Sequence, residues 1–169
     1  IYGNSFEGIE ITYAVEETPL GTGGGIALAI EKTKDEDVLI LNGDSFIDFD
    51  LKEFYEFHKA NNSAVSFVLK EMKNFDRYGS VEVNDRKITA FCEKKFISKG
   101  LINAGAYIVK RNIFREMNPG KRFSFENDYL EKKVNEGKFF GYTAKGYFID
   151  IGIPEDYYKA QKDFKEIWK

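Results

Sequence analysis

The sequence predicts an α/β fold: a mixed, mostly parallel sheet flanked by helices. Three observations point there. Strand-period and helix-period runs alternate through the first half of the chain. The run "DVLILNGD", Asp37 to Asp44, is continuously apolar and closed by Asn-Gly, the pattern of a strand covered on both faces. Between an alternating run and a helical one lies "PLGTGGG", Pro19 to Gly25, where glycine allows the backbone to approach something closely.

The elements follow in order. Ile9, Ile11, Tyr13 and Val15 alternate with Glu10, Thr12 and Ala14, which predicts a strand. A short helix is expected from Ile26 to about Lys32, after the glycines. Asp50 and Glu53 have the spacing of a capping box opening a helix over "LKEFYEFHKAN". "AVSFVLKEM" is the next strand. "GSVEVN", a turn at Asn84-Asp85 and "KITAFCEK" read as a hairpin. "INAGAYIVK" is a strand, and "SFENDYLEKKVNEG" a helix capped by Ser124 and stopped by Gly137. "KFFGYTA" and "YFIDIG" are strands. Pro154 opens the last helix, with Tyr157, Ala160, Phe164 and Ile167 or Trp168 as its buried stripe.

Bulk properties narrow the class. The 169 residues suit a single domain over 1–169, and 16 Phe with 10 Tyr supply a substantial core. A net charge of -3 without a basic stripe argues against nucleic acid as a partner. A single cysteine, Cys92, excludes an internal disulfide framework and fits a reducing compartment. No apolar run is long enough to span a bilayer. A cytoplasmic protein is the expectation. The aromatic-rich C-terminal half suits an interface in a homo-oligomer.

Several residues carry candidate chemistry. A glycine-rich helix start favours polar or anionic ligands, but this loop lacks the Lys-Ser/Thr of a phosphate-binding loop and the last glycine of a dinucleotide fingerprint. A tight structural turn remains an equal reading. Asp44 follows a predicted buried strand, and ligands of open α/β sheets gather at such carboxyl ends. Asp150 sits between Ile149 and Ile151, where a carboxylate is costly unless paired or metal-bound. The two could share one Mg²⁺, whose usual shell is one or two carboxylates plus substrate phosphates.

Other positions are more ambiguous. Glu93 and Lys94 end a strand; Lys94 could neutralise a phosphate and Glu93 accept sugar hydroxyls, or both could be solvated. Asn103 and Gly105 suggest either a ligand approach or a bulge. Glu126, in the first turn of its helix, has the plain reading of complementing the helix dipole. Asp48-Phe49-Asp50 spells a metal-binding D-x-D, yet Asp50 is better used as a cap. His58 lacks a second His and reads as structural; Cys92 reads as a small core residue.

Together the segments "EETPLGTGGGI", "LNGDSF", "FDRYGSVEV", "FCEKK", "LINAGAYIV", "FSFENDYL" and "FIDIGIPEDYYKA" resemble the sugar-1-phosphate nucleotidyltransferase family. They occur in the family's order over nearly the whole chain. The likeness is to the branch of D-glycero-α-D-manno-heptose 1-phosphate and mannose-1-phosphate guanylyltransferases. The resemblance implies a Rossmann-like nucleotidyltransferase fold and formation of an NDP-sugar and pyrophosphate from an NTP and a sugar 1-phosphate. GTP and D-glycero-D-manno-heptose 1-phosphate are the favoured pair, for cell-surface polysaccharide precursors.

The resemblance also implies residue roles. Asp44 and Asp150 would hold Mg²⁺, and Lys94 would contact the sugar phosphate. Leu20, Gly21, Thr22, Gly23 and Gly43 would bind the nucleotide. Gly79, Glu93, Asn103, Gly105 and Glu126 would line the sugar pocket. Family members open with a strand and a "GGxGTRL"-like loop, followed by a lysine-containing segment, and this sequence contains neither. It is therefore expected to be the C-terminal part of such a domain, inactive alone. The competing readings are a glycosyltransferase using Asp48 and Asp50, and a regulatory subunit that binds nucleotide sugar without turnover.

Overall fold

The computed structural model describes residues 3–114 and 122–167. The chain divides into two compact units: Ile1–Val38 with Lys110–Lys133, and Leu39–Val109 with Val134–Lys169.

The first unit opens with a two-stranded hairpin, β1 (Ser5–Phe6) and β2 (Ile9–Glu10). The strand expected over 9–15 stops after Glu10. Ile9 and Val15 are exposed, so the alternation has no buried face to occupy. Helix α1 spans Gly21–Ile30, five residues ahead of its expected start at Ile26. Glycine is a poor helix former, but here the glycines make room: a Cβ on Gly21 would lie 2.6 Å from the Phe123 carbonyl oxygen, and one on Gly23 would run into the Phe123 ring. The unit's core is aromatic. Phe114 packs on Phe125 and Tyr129, whose rings stack at 5.9 Å.

Ser124 caps the following helix as expected, its Oγ accepting from Asn127 N at 3.1 Å. The helix itself differs. It is a π-helical turn, Phe125–Leu130, running into the short α3, Glu131–Lys133. Asp128 answers the cap by accepting from Ser124 N at 2.9 Å, one residue later than in an ordinary capping box. That bond and Lys132 hold the Asp128 carboxyl below its usual range.

The second unit holds a six-stranded mixed sheet in the order β3-β8-β5-β9-β7-β6. Its strands are β3 (Asp37–Leu41), β5 (Val65–Phe75), β6 (Ser80–Asn84), β7 (Lys87–Cys92), β8 (Ile97–Lys110) and β9 (Phe139–Ala144). The mixed α/β class is as predicted, but the parallel share is smaller. β5 runs parallel to β9 and antiparallel to β8, while β6–β7 and β7–β9 are antiparallel. The doubly covered strand is β5, where Val65 to Leu69 are all buried, rather than β3. β3 lies at the sheet edge with Leu39 38% and Leu41 60% exposed. A continuous apolar run reports hydrophobicity, not the position of its strand in the sheet.

Helix α2 (Leu51–Ala60) covers this sheet with Phe54 and His58, both fully buried and one turn apart. His58 Nδ1 bonds Ser66 Oγ of β5 at 2.8 Å, so it is structural, as expected. Phe54, Val68, Ala106 and Ile108 share one apolar cluster with Ile47. Half of the expected capping box forms: Asp50 Oδ1 accepts from Glu53 N at 2.8 Å, while Glu53 Oε2 accepts from Tyr142 Oη at 2.9 Å. The β6–β7 turn places Asp85 and Arg86 at φ of 45° and 68°, the pair of positive angles a two-residue hairpin turn requires.

β4 (Ser45–Ile47) and β10 (Phe148–Asp150) form a separate antiparallel pair. α4 spans Pro154–Ile167. Of its expected stripe, Ala160 is buried and Phe164 packs edge-on to Phe46, whereas Tyr157 and Ile167 are about half exposed. Trp168 lies outside the described residues.

Two substitutions test these local assignments. Asp50→Ala should cost about 1 kcal/mol in urea unfolding, the usual worth of a cap; an unchanged midpoint would contradict the Asp50 cap. Gly21 sits at φ +72° against Phe123. Gly21→Ala should therefore cost about 2 kcal/mol, and a wild-type midpoint would contradict the proposed crowding.

Candidate functional site

Two groups of candidate residues form, one on each unit. On the second unit, β4 and β10 pair so that Asp150 faces Ser45 directly, and Ile149 faces Phe46. One step further, Ile151 N donates to Asp44 O at 2.9 Å. The backbones of Asp44 and Asp150 are thereby brought to adjacent strand ends, although the two are remote in sequence. Asp44 is exposed and Asp150 half-buried. Asp150 Oδ1 accepts from Gly152 N at 2.7 Å, which compensates part of its desolvation and leaves Oδ2 for another partner.

The Asn42–Ser45 turn is held from its other side by β8. Asn42 N donates to Gly105 O at 2.8 Å. Gly105 stands at φ +77° in a bulge, where β5 residues Phe67 and Leu69 face Tyr107 and Asn103. A Cβ at Gly105 would lie 2.5 Å from Ser45 Oγ and 2.9 Å from Asn42 Nδ2. Of the two readings left open for Gly105, the bulge is the one realised, and what approaches it is the turn carrying Asp44. Asn103 locks the bulge: its Nδ2 donates to Tyr107 Oη at 2.7 Å, and its Oδ1 accepts from Gly105 N at 3.1 Å. One N–H and one lone-pair position remain on its amide. At Gly43 a side chain would meet open space.

Gly79 approaches β7 closely, a Cβ there falling 2.7 Å from Cys92 O. Glu93 and Lys94 follow β7 directly and are exposed. Cys92 is half-buried, with Sγ directed at Glu82 Oε1 at 3.7 Å. Asp50 Oδ1 is taken by the α2 cap and Asp48 N donates to Tyr147 O, while both residues line a second cleft with Glu53 and Tyr142.

A cleft of about 300 Å³ opens beside Asp150, lined also by Arg77, Tyr78, Phe148, Asp156 and Lys159. Arg77 Nη1 meets Asp156 Oδ2 at 2.6 Å, and its guanidinium lies 5.5 Å from the Tyr78 ring centre. Burial pushes the Tyr78 phenol above its usual range, and the Asp150 charge adds to the shift. Sequence reasoning gave Arg77 and Asp156 no role. The available signal was the basic-aromatic pair in "FDRYG" and an acid in the first turn of α4.

On the first unit, Leu20 to Gly23 run against Phe123 to Phe125. Phe123 N donates to Leu20 O at 2.9 Å, and Gly23 N to Phe123 O at 3.1 Å. Thr22 Oγ1 accepts from Phe125 N at 2.9 Å and donates to Glu126 Oε2 at 2.8 Å. The bareness of Gly21 and Gly23 is thus used by Phe123. Glu126, assigned by resemblance to the sugar, is tied to the segment assigned to the base.

Among the described residues, no group of three or more His, Cys, Asp or Glu clusters as metal ligands. Asp44 and Asp150 offer a two-carboxylate set, which fits Mg²⁺, a cation that keeps waters and substrate phosphates in its shell. Among the described residues no helix is long and apolar enough to cross a membrane.

A sequence model described as "Nucleotidyl transferase" matches residues 2–167. The chain is 46% identical over 164 residues to a D-glycero-α-D-manno-heptose 1-phosphate guanylyltransferase of Aneurinibacillus thermoaerophilus, covering 97% of this chain and 71% of that one. It is 41% identical to the enzyme of the same name from Campylobacter jejuni, covering 93% and 69%. Crystal structures of HddC from Yersinia pseudotuberculosis, one of them complexed with GMP-PN, superpose with a TM-score of 0.77 at 38% identity. They cover 88% of this chain, which spans 64% of theirs. With a family match along almost its whole length, the chain belongs to the nucleotidyl transferase family.

Proposed function

We propose that the full-length protein joins an NTP to a sugar 1-phosphate, forming an NDP-sugar and pyrophosphate. GTP and D-glycero-α-D-manno-heptose 1-phosphate are the favoured substrates, because two relatives above 40% identity carry that activity in their names and a similar structure binds GMP-PN. The observation that carries the reading is the β4–β10 register, which sets Asp44 and Asp150 on adjacent strand ends.

The chemistry asks little of the protein beyond positioning and charge. An oxygen of the sugar phosphate attacks the α-phosphorus, the α–β phosphoanhydride bond breaks, and pyrophosphate leaves. The attacking phosphate is ionised near neutral pH, so no general base is required. Asp44 and Asp150 would hold Mg²⁺, which would supply charge neutralisation on the phosphates. Lys94 binds the sugar phosphate as a mobile point charge. Leu20 to Gly23 on the first unit are assigned to the nucleotide through their backbone groups, as is Gly43 on the second. Glu93 and Asn103 on the second unit, and Glu126 on the first, are each assigned to sugar hydroxyls; Gly79 and Gly105, also assigned to the sugar, have Cys92 O and the Asn42–Ser45 turn lying close against them.

Mg²⁺-dependent pyrophosphate release tests the metal assignment. Asp44→Asn and Asp150→Asn should each lower turnover by about 10²-fold or more; near-wild-type rates in both would contradict it. Lys94→Ala should raise KM for the sugar 1-phosphate by about 10-fold or more, the worth of a charge-assisted hydrogen bond, with KM for GTP little changed. An unchanged KM for the sugar 1-phosphate would remove Lys94 from the site.

A further inference from the structure

We propose that Thr22 is a positioning residue that fixes the Glu126 carboxylate for sugar recognition, so that the segment assigned to the base also sets this one contact to the sugar. This deepens the function proposed above and rests on its assignment of Leu20–Gly23 to the nucleotide and Glu126 to the sugar.

The hydrogen-bond directions carry the inference. A threonine hydroxyl has one hydrogen to donate. Thr22 Oγ1 accepts from Phe125 N at 2.9 Å, so that backbone donor fixes one side of the oxygen. Its hydrogen goes to Glu126 Oε2 at 2.8 Å. Ser124 Oγ, itself accepting from Asn127 N, donates to the same oxygen at 3.2 Å. An ionised carboxylate only accepts, and here both hydroxyl donors converge on Oε2. Oε1 has no hydrogen-bond partner among the described residues and is left for a hydroxyl of the substrate.

The support beneath this pair is stiff. The backbone bonds between Phe123 and Leu20 and between Gly23 and Phe123 tie the two segments on either side of Thr22. Gly21 and Gly23 let Phe123 lie where a side chain would collide with it. A shift of the Leu20–Gly23 backbone therefore moves the Thr22 hydroxyl and, with it, the carboxylate. A helix-dipole role alone would need Glu126 in the first turn but would not need Thr22.

Steady-state kinetics of the full-length protein with GTP and the heptose 1-phosphate decide the matter, using T22V, T22S, E126Q and the T22V/E126Q double variant. Valine keeps the shape and removes the hydroxyl; serine keeps the hydroxyl. T22V should raise KM for the sugar 1-phosphate about 10-fold, the effect of one lost charge-assisted hydrogen bond, and KM for GTP by no more than about 2-fold. T22S should stay near wild type. The double variant should be no worse than E126Q alone, since both changes remove one interaction. An unchanged sugar KM in T22V, equal rises in both KM values, or multiplying effects in the double variant would overturn the proposal. If T22V does not fold, T22A gives the same comparison. If the wild type releases no pyrophosphate, the reaction assignment fails on its own. Calorimetric binding of the sugar 1-phosphate to wild type and T22V then decides the role of Thr22. Weaker binding in T22V supports it, and equal binding or none in the wild type overturns it.

Discussion

The short antiparallel pairing of β4 with β10 is the constraint on which the candidate metal site depends. Three registered residue pairs hold it, and its end places Asp150 opposite Ser45. The turn before β4 is fixed from both sides, by Asn42 N on Gly105 O and by Ile151 N on Asp44 O. Gly105 is what lets the turn sit so near β8, because any side chain there would meet Ser45 and Asn42. Asp44 and Asp150, far apart in sequence, are brought to adjacent strand ends by backbone bonds. Among the described residues, their side chains make one hydrogen bond, accepted by Asp150 Oδ1 from Gly152 N.

Glycine serves two purposes in this chain. At Gly105 it permits a positive φ and a close turn; at Gly21 and Gly23 it makes room for Phe123. Neither use requires a ligand, yet both settle where candidate binding groups stand. Asn103 shows the same economy of placement, since it fastens the bulge with two bonds and keeps part of its amide free. Residues that would touch substrate are thus held by the bonds that hold the fold, and substitutions there will mix stability with activity.

What was legible in the sequence followed from local rules. The Asp50 cap, the Ser124 cap, the helix start at Pro154 and the β6–β7 hairpin, whose turn is Asp85-Arg86 rather than Asn84-Asp85, each depend on a few adjacent residues. The strand-end rule raised Asp44 as a candidate, and the cost of a carboxylate between Ile149 and Ile151 raised Asp150, without knowledge of their pairing. What was not legible depended on partners distant in the chain. Helix α1 begins at Gly21 because Phe123, about a hundred residues later, covers its first turn. The bond from Thr22 to Glu126 is invisible to any local pattern for the same reason. Periodicity also failed on exposure: Leu41 of β3 and Tyr157 of α4 are apolar in pattern yet substantially exposed. The π-helical turn at Phe125 lengthened a capping box by one residue, a variation that standard spacing does not anticipate.

The central claim is a nucleotidyl transfer to a sugar phosphate, and one measurement meets it most directly. Pyrophosphate release by the full-length protein would be followed with Mg²⁺ across four NTPs and a panel of sugar 1-phosphates. A single strong combination of GTP with a manno-configured heptose 1-phosphate is the expected result. Silence across the whole grid, with nucleotide still bound, would contradict it and leave a nucleotide-binding protein without turnover.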